Sequence, residues 1–444
     1  MNNTMRQFLS ETEMQQLARE CGFVERTSPI TGLTFVITFT TGLLNTPQGT
    51  LAQLAAFLSS ACKTRVSPQA IDGRLTVVAM AFMRCCLEKA LAMATRPRAF
   101  DQGTIAEFDH IYIIDSTNFE LHPSLREVFK GNGGASSVSA MRIQLVLDYV
   151  TGRLFVEIGD TKLCDAPTLQ RLVETHALDT TGKCLFLADL GYFKIATFHA
   201  IQEQHQFFLS KFMFGIALYD ESGSRLDLQN LLKAAPDSFE RTVTLNGMTY
   251  RLAGKRLPDH VVNQRLRKAS RAAQCKRGGV ITDAYRLFLH YALFLTNLPT
   301  THQMDTLFTL YRIRWQIELV FKTWKSILAI HKLRSAKLER IMCEVYGKLI
   351  LAALSSMITA ATEIPSNTIV VSLHRAMQHL RTVAWQWASA IFQGGRTLVT
   401  FLSNLAADIA RLCKKKSHRA KPSIETILAS TQTAQHKPLT FALT

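Results

Sequence analysis

Around residue 315 the chain reads YRIRWQIELVFKTWK. On a helix of 3.6 residues per turn, Tyr311, Arg314, Glu318 and Lys325 fall within an arc of about 60°, with Lys322 beside them. The opposite side carries Ile313, Ile317, Val320 and Trp324, an apolar stripe that can anchor the helix by packing. One carboxylate is thus ringed by cations. The same pattern also describes a solvated face with an i,i+4 pair between Glu318 and Lys322. Two more acids stand out. Asp115 follows the apolar run His110–Ile114, and Asp189 follows Cys184–Ala188. A carboxylate leaving the end of a buried strand is where α/β folds place catalytic groups. A polar strand end that starts a turn is the plainer reading of each. Three carboxylates without Cys or suitably spaced His make a hard, oxygen-only donor set, which suits Mg²⁺ or Mn²⁺ and not zinc.

The elements that must position these residues can be read along the chain. Residues 1–100 read as mainly helical. Leu51–Leu58 is an apolar run, Ser67 and Pro68 form an N-cap and N1 pair, and Val77–Leu91 is a longer helix. Such a trio fits a helix-turn-helix-like DNA reader or a plain helical bundle. From about residue 108 the pattern turns to strands. Ile143, Leu145, Leu147 and Tyr149 alternate, and Thr151-Gly152 turns the chain into Arg153–Ile158, a hairpin. Helix Ala166–Ala177, strand Cys184–Ala188, helix Phe193–Gln204 and strand Gln206–Met213 follow. This order implies a mixed α/β sheet with helices on its faces.

Residues 214–300 read as a β-rich insertion. Arg241–Leu252 alternates around an Asn246-Gly247 turn. His260–Arg277 carries Arg265, Arg267, Lys268, Arg271, Lys276 and Arg277 without an acid. It reads as a DNA-tracking surface or as a solvated loop. Phe288–Leu298 reads as a strand, Thr306–Ile327 as one long helix, and Ala336–Ile364 and Leu373–Ala407 as further helices. The tail from Lys414 onward is basic and polar.

In order, these motifs resemble one family. The spacing Tyr-x2-Arg-x3-Glu-x6-Lys is met by Tyr311, Arg314, Glu318 and Lys325. It resembles the signature of bacterial insertion-sequence transposases of the Asp-Asp-Glu type. Asp115 in IIDSTNF resembles that family's first acid, and Asp189 in LADLGYF its second. FLTN at Phe294–Asn297 also fits, and the likeness covers roughly residues 50–350. The resemblance implies an α/β, RNase H-like catalytic domain with an insertion before the glutamate. It implies a helical N-terminal DNA-binding domain over 1–100, catalytic core over 101–213 and 301–335, insertion over 214–300, and a helical, possible dimerisation region with a basic tail over 336–444. Asp115, Asp189 and Glu318 would be the catalytic acids and the ligands of two Mg²⁺ ions, replaceable by Mn²⁺, with Asp189 bridging both. Tyr311, Arg314 and Lys325 would meet phosphates, aided by Lys322. Arg265, Arg267, Lys268 and Arg271 would follow the DNA backbone. The implied reaction is cleavage and strand transfer at terminal inverted repeats, by a homodimer acting on double-stranded DNA. A catalytically inactive DNA-binding derivative, or a nuclease without strand transfer, would carry the same motifs. Some relatives stack a flipped base on a tryptophan of the insertion. The four tryptophans here are Trp315, Trp324, Trp385 and Trp387, which leaves Tyr250, Tyr285, Phe288 and Tyr291 as substitutes or as ordinary strand residues.

Composition fits this reading. The chain has 444 residues, 47% of them hydrophobic and 19% charged, so it can bury sizeable cores. With 51 Lys and Arg against 34 Asp and Glu, the formal charge is +17. That favours a polyanionic partner, nucleic acid first. Nine scattered cysteines without a CxxC suggest neither disulfides nor a zinc ribbon, consistent with a reducing cytosol; the resemblance implies a bacterial cytoplasm and a place beside the nucleoid. The start of the chain does not read as a signal peptide. The apolar stretches Leu287–Leu298 and Leu349–Ala361 read as too interrupted to span a membrane.

Overall fold

A computed structural model describes residues 3–93, 105–133, 137–275, 279–363 and 371–415. Lys276, Arg277 and the tail from 416 lie outside the described residues. The rest divides into two compact units. One takes the described residues up to 93, with 116–163 and 315–415; the other takes 105–115 and 164–314. The strands, in chain order, are β1 (His110–Glu120), β2 (Ala140–Asp148), β3 (Leu154–Gly159), β4 (Cys184–Ala188) and β5 (Phe207–Lys211). They continue as β6 (Leu218–Tyr219), β7 (Arg225–Leu226), β8 (Ser238–Leu245), β9 (Met248–Arg256) and β10 (Tyr291–Thr296).

In the second unit the strand order is β1-β4-β5-β10-β9-β8-β6-β7. β4 is buried along its whole length, as expected of a strand covered on both faces. It pairs in parallel with β1 and with β5. Parallel neighbours need a crossover, and helix Ile195–Glu203 supplies it between β4 and β5. β10 runs antiparallel to β5 and to β9. Asn297, just past β10, extends that seam with its side chain. Its amide accepts from Phe208 N at 2.8 Å and donates to Gln206 O at 2.7 Å. β8 and β9 meet at Asn246 and Gly247, with φ of 49° and 83°, the left-handed pair that a tight hairpin requires. Arg251, nearly buried on β9, donates to the Glu240 carboxylate and to the carbonyls of Pro299 and His302.

Several boundaries differ from the sequence reading. β1 does not stop at Asp115 but runs to Glu120, because Thr117 and Phe119 stay buried while Asn118 and Glu120 are exposed, the period-two pattern of a strand. The basic stretch after 259 is a helix, Asp259–Cys275, and not a loop. Val261 and Val262 turn inward against Leu257, with Leu266 and Ala292 packed beside them, leaving a polar face of the kind that sets helical period. Residues 214–300 therefore hold helices as well as strands, and β10 within them pairs directly with β5. The single helix expected over 306–327 is two, Met304–Ile313 and Trp315–Ser326. Arg314 sits between them in a tight turn, its N–H donating to Tyr311 O at 3.1 Å. Likewise 373–407 is three helices, broken at Val383 and at Gly394, whose φ is 62°.

In the first unit, β2 and β3 form the expected hairpin. The remaining core is helical. Helix Leu338–Glu363 packs against Val77–Ala92, against Gly395–Leu412, and against the π-helical turn Thr38–Gly42. At Gly347 a Cβ would come within 2.0 Å of Phe39 O, so only glycine permits this approach. The helix is longer than the apolar stretch read from sequence. By length and composition it could cross a membrane, yet 89% of its most apolar window is buried inside the protein. The interrupting polar residues hydrogen-bond back along the helix, Ser355 to Leu351 O and Thr359 to Ser355 O at 2.7 Å each, which makes their burial tolerable.

Lys348 lies on the same helix, 1% exposed, its amine donating to Ala329 O at 3.2 Å. Burial pushes its pKa from 10.5 down to about 8, against the pull of Glu344. The unfolded chain therefore binds more protons between those values, and this residue's contribution to stability rises with pH across that window. Urea unfolding should show wild type gaining roughly 2–3 kcal/mol on Lys348→Met between pH 8 and 10. A difference that stays constant with pH would contradict a depressed amine.

Candidate active site

The site in the second unit follows from strand register. Ile113 on β1 lies opposite Leu187 on β4. Two residues further on each strand, on the same face, stand Asp115 and Asp189. Ala188 lies opposite Ser210 on β5, which brings Lys211 level with Asp189. Phe294 of β10 is in turn opposite Lys211. Four adjacent strands thus present an acid, an acid, a lysine and a phenylalanine in one row.

Helix Met304–Ile313 covers this row. Tyr311, largely buried, packs its ring on Phe294 at 4.7 Å between centroids. Its hydroxyl lies 3.3 Å from Asp189 Oδ1 and 3.3 Å from Ala188 O, and it donates to them. Burial, and then the charge of Asp189, push the phenol's pKa far up, so it remains a donor. Arg314, also largely buried, places one guanidinium nitrogen 3.8 Å from Asp115 Oδ2 and 3.9 Å from Asp189 Oδ2. Lys211 Nζ is 3.8 Å from Asp189 Oδ1. Asp189 also caps the short turn Leu190–Tyr192, accepting from Leu190 N at 2.9 Å. Burial works to raise the Asp189 pKa, but Lys211 and Arg314 with these hydrogen bonds outweigh it and hold the carboxyl below its ordinary range. Asp189 is an anion at neutral pH.

Glu318, Lys322 and Lys325 are on helix Trp315–Ser326 in the first unit. Ile317, Val320 and Trp324 of that helix are buried, as the apolar stripe requires, and so is Ile313 on the helix before it. Together with Ser116, Thr117, Phe321, Ser326 and His331, the three charged residues line an open cleft of about 540 Å³. Among the described residues, no group of three or more His, Cys, Asp and Glu side chains gathers closely enough to hold a metal ion. Asp115 and Asp189 instead form a pair bound by Arg314.

The chain matches the family model described as the transposase DDE domain over residues 106–354. It belongs to that family. Among its relatives, the transposase for insertion sequence element IS231B of Bacillus thuringiensis subsp. berliner is 25% identical, over 77% of this chain and 76% of the relative. The transposase for insertion sequence element IS1151 of Clostridium perfringens is also 25% identical, over 100% of this chain and 98% of the relative. A putative transposase InsL of Escherichia coli is 27% identical over 32% of this chain and 41% of its own.

Within this DDE transposase the remaining sequence-derived candidates separate by environment. Arg267, Lys268 and Arg271 are exposed on helix Asp259–Cys275. Arg265, on the same helix, is half-buried and donates to Leu289 O and Tyr291 O at 3.0 and 2.8 Å, so it also tethers the helix. Tyr250 and Tyr291 are buried strand residues, unavailable for stacking on a base. Tyr285 and Phe288 lie on helix Asp283–Phe288 and form a ring cluster with Phe214. Lys211 was not among the sequence candidates. Its signal was positional, since it ends the strand that follows Asp189. Ser116 and Thr117 stood in the IIDSTNF motif only as neighbours of Asp115, and Ser326 and His331 carried no motif.

Arg314→Ala should raise the Asp189 pKa, because it removes one of the two cations holding the carboxyl down. Carboxylate ¹³C titration by NMR checks this, and an unmoved Asp189 curve would show that Arg314 does not set its charge.

Proposed function

We propose that this transposase cuts and joins DNA at the ends of its own insertion sequence, with Asp115, Asp189 and Glu318 as its catalytic acids. The observation that carries the reading is the parallel register that sets Asp115 beside Asp189 with one cation drawn to both. An all-oxygen donor set fits a divalent ion, and the place taken by Arg314 is one where positive charge is favoured beside both carboxylates. Asp115 and Asp189, with Glu318, would hold Mg²⁺ or Mn²⁺. When bound, such ions activate the nucleophile and stabilise the leaving oxygen of an in-line displacement.

The chain's own residues do the rest. Tyr311 and Lys211 fix the Asp189 carboxylate in position. Lys322 and Lys325 take backbone phosphates by charge, and Arg314 would contact a phosphate as well. Water adds to the phosphorus at the transposon end and the 3′ oxygen leaves as a hydroxyl. That hydroxyl then attacks a target phosphodiester and expels the target strand's 3′ oxygen, which leaves as a hydroxyl, so no covalent enzyme intermediate forms. The catalytic domain is RNase H-like in this reading, which the parallel β1, β4 and β5 and the placement of the two aspartates support. The helices of 1–100 bind the terminal inverted repeats. Arg267, Lys268 and Arg271 track the duplex from the 214–300 insertion, and 336–444 joins two copies into a homodimer. The protein works on double-stranded DNA in the bacterial cytoplasm.

The test is cleavage of a duplex carrying the terminal repeat in Mg²⁺. Glu318→Gln should cut at least about a thousandfold more slowly, the loss of roughly 4 kcal/mol of transition-state stabilisation, while binding the duplex within about threefold of wild type. A Glu318→Gln protein that still nicks would overturn the assignment. Cut but never joined products from wild type would instead mark a nuclease without strand transfer, and wild type that binds without cutting would mark an inactive derivative.

A further inference from the structure

We propose that Thr117 and His331 form a hydrogen-bonding seat for one DNA phosphodiester in the cleft flanked by Lys322 and Lys325. The proposal rests on the DNA-acting reading above and adds residues that lie outside its acidic and basic motif.

Two observations point to a ligand. Thr117 is 4% exposed, lines the cleft, and its hydroxyl has no hydrogen-bond partner in the structure. His331 lines the same cleft, and its buried Nδ1 also has none. A buried polar group left unpaired costs about 1–3 kcal/mol, so two in one cleft call for a shared partner. The partner is anionic by its surroundings. Lys322 and Lys325 stand on the wall, and Lys332 and Lys348 lie near enough to His331 to act on its charge. Burial and these lysines push the His331 pKa down, so at neutral pH the ring is an uncharged donor. Glu318 is the one acid on the wall, the residue assigned above to a cation. The cleft is open to solvent and has Phe321 beside the polar groups, which suits a phosphate still joined to its sugars more than a free ion.

The loop that carries His331 is built to hold it there. Ile330 is fully buried, Ile330 N donates to Trp324 O at 3.3 Å, and Lys348 holds the Ala329 carbonyl. Ala329 itself has a φ of 45°, a left-handed conformation that a non-glycine residue keeps only where its surroundings insist.

The experiment measures binding of the full chain to a fluorescein-labelled duplex of random sequence, in EDTA so that cleavage plays no part. Thr117→Val keeps the branched shape and deletes the hydroxyl, and His331→Leu deletes the ring donor. Each should weaken binding roughly tenfold. Thr117→Ser and His331→Gln, which keep a donor, should stay within about threefold of wild type. Because both native groups are uncharged, the slope of affinity against salt should not change, whereas Lys322→Ala should make it shallower by about one. Thr117→Val and His331→Leu that bind like wild type would overturn the seat and leave the transposase reading intact, as would Thr117→Ser losing as much as Thr117→Val. A wild-type chain that binds no duplex would overturn both.

Discussion

Two carboxylates level with one another on neighbouring parallel strands repel unless a cation lies against both. Arg314 is that cation here, under 4 Å from Asp115 and from Asp189. At an effective dielectric of about 20, a charge pair at this spacing interacts by about 4 kcal/mol before desolvation is counted. The sheet register forces the acids together, and the turn between two helices delivers the guanidinium. Lys211 on the next strand and the Tyr311 hydroxyl then complete the surroundings of Asp189. The arrangement stores a preference for positive charge at one point of the fold, which is the property a divalent-ion site needs.

The surrounding structure serves that register. β4 is buried throughout, so its pairing with β1 is fixed by apolar contact on both faces, where a slip of one residue would turn Asp189 inward. Asn297 continues the β5–β10 seam with its side chain, and Arg251 pins β9 to the segment before the tyrosine-bearing helix. The FLTN motif thus reads physically as a strand followed by an amide that imitates backbone.

Much of this was legible beforehand. The alternation at Ile143–Tyr149, the Asn246-Gly247 turn and the apolar run Cys184–Ala188 each obey a local rule, and each element formed. The breaks in long helices were not legible, because no proline marks Arg314 or Val383; a tertiary contact at the guanidinium decides the first. The helix Asp259–Cys275 was hidden because its apolar face is narrow and its charges dominate the text. Of the site, the motif residues could be found by spacing. Lys211 could be placed only through strand register, and Thr117 and His331 only through what they lack in the folded protein. The long apolar helix Leu338–Glu363 shows the converse: its serines and threonines read as interruptions, yet they bond within the helix and are buried with it.

Mn²⁺ uptake, followed by electron paramagnetic resonance on the full chain, tests the central claim most directly. Wild type should bind the ion, and the double variant Asp115→Asn/Asp189→Asn should lose most of that binding while melting at a similar temperature. Equal uptake by both proteins would contradict the claim that these two strands build the cation site.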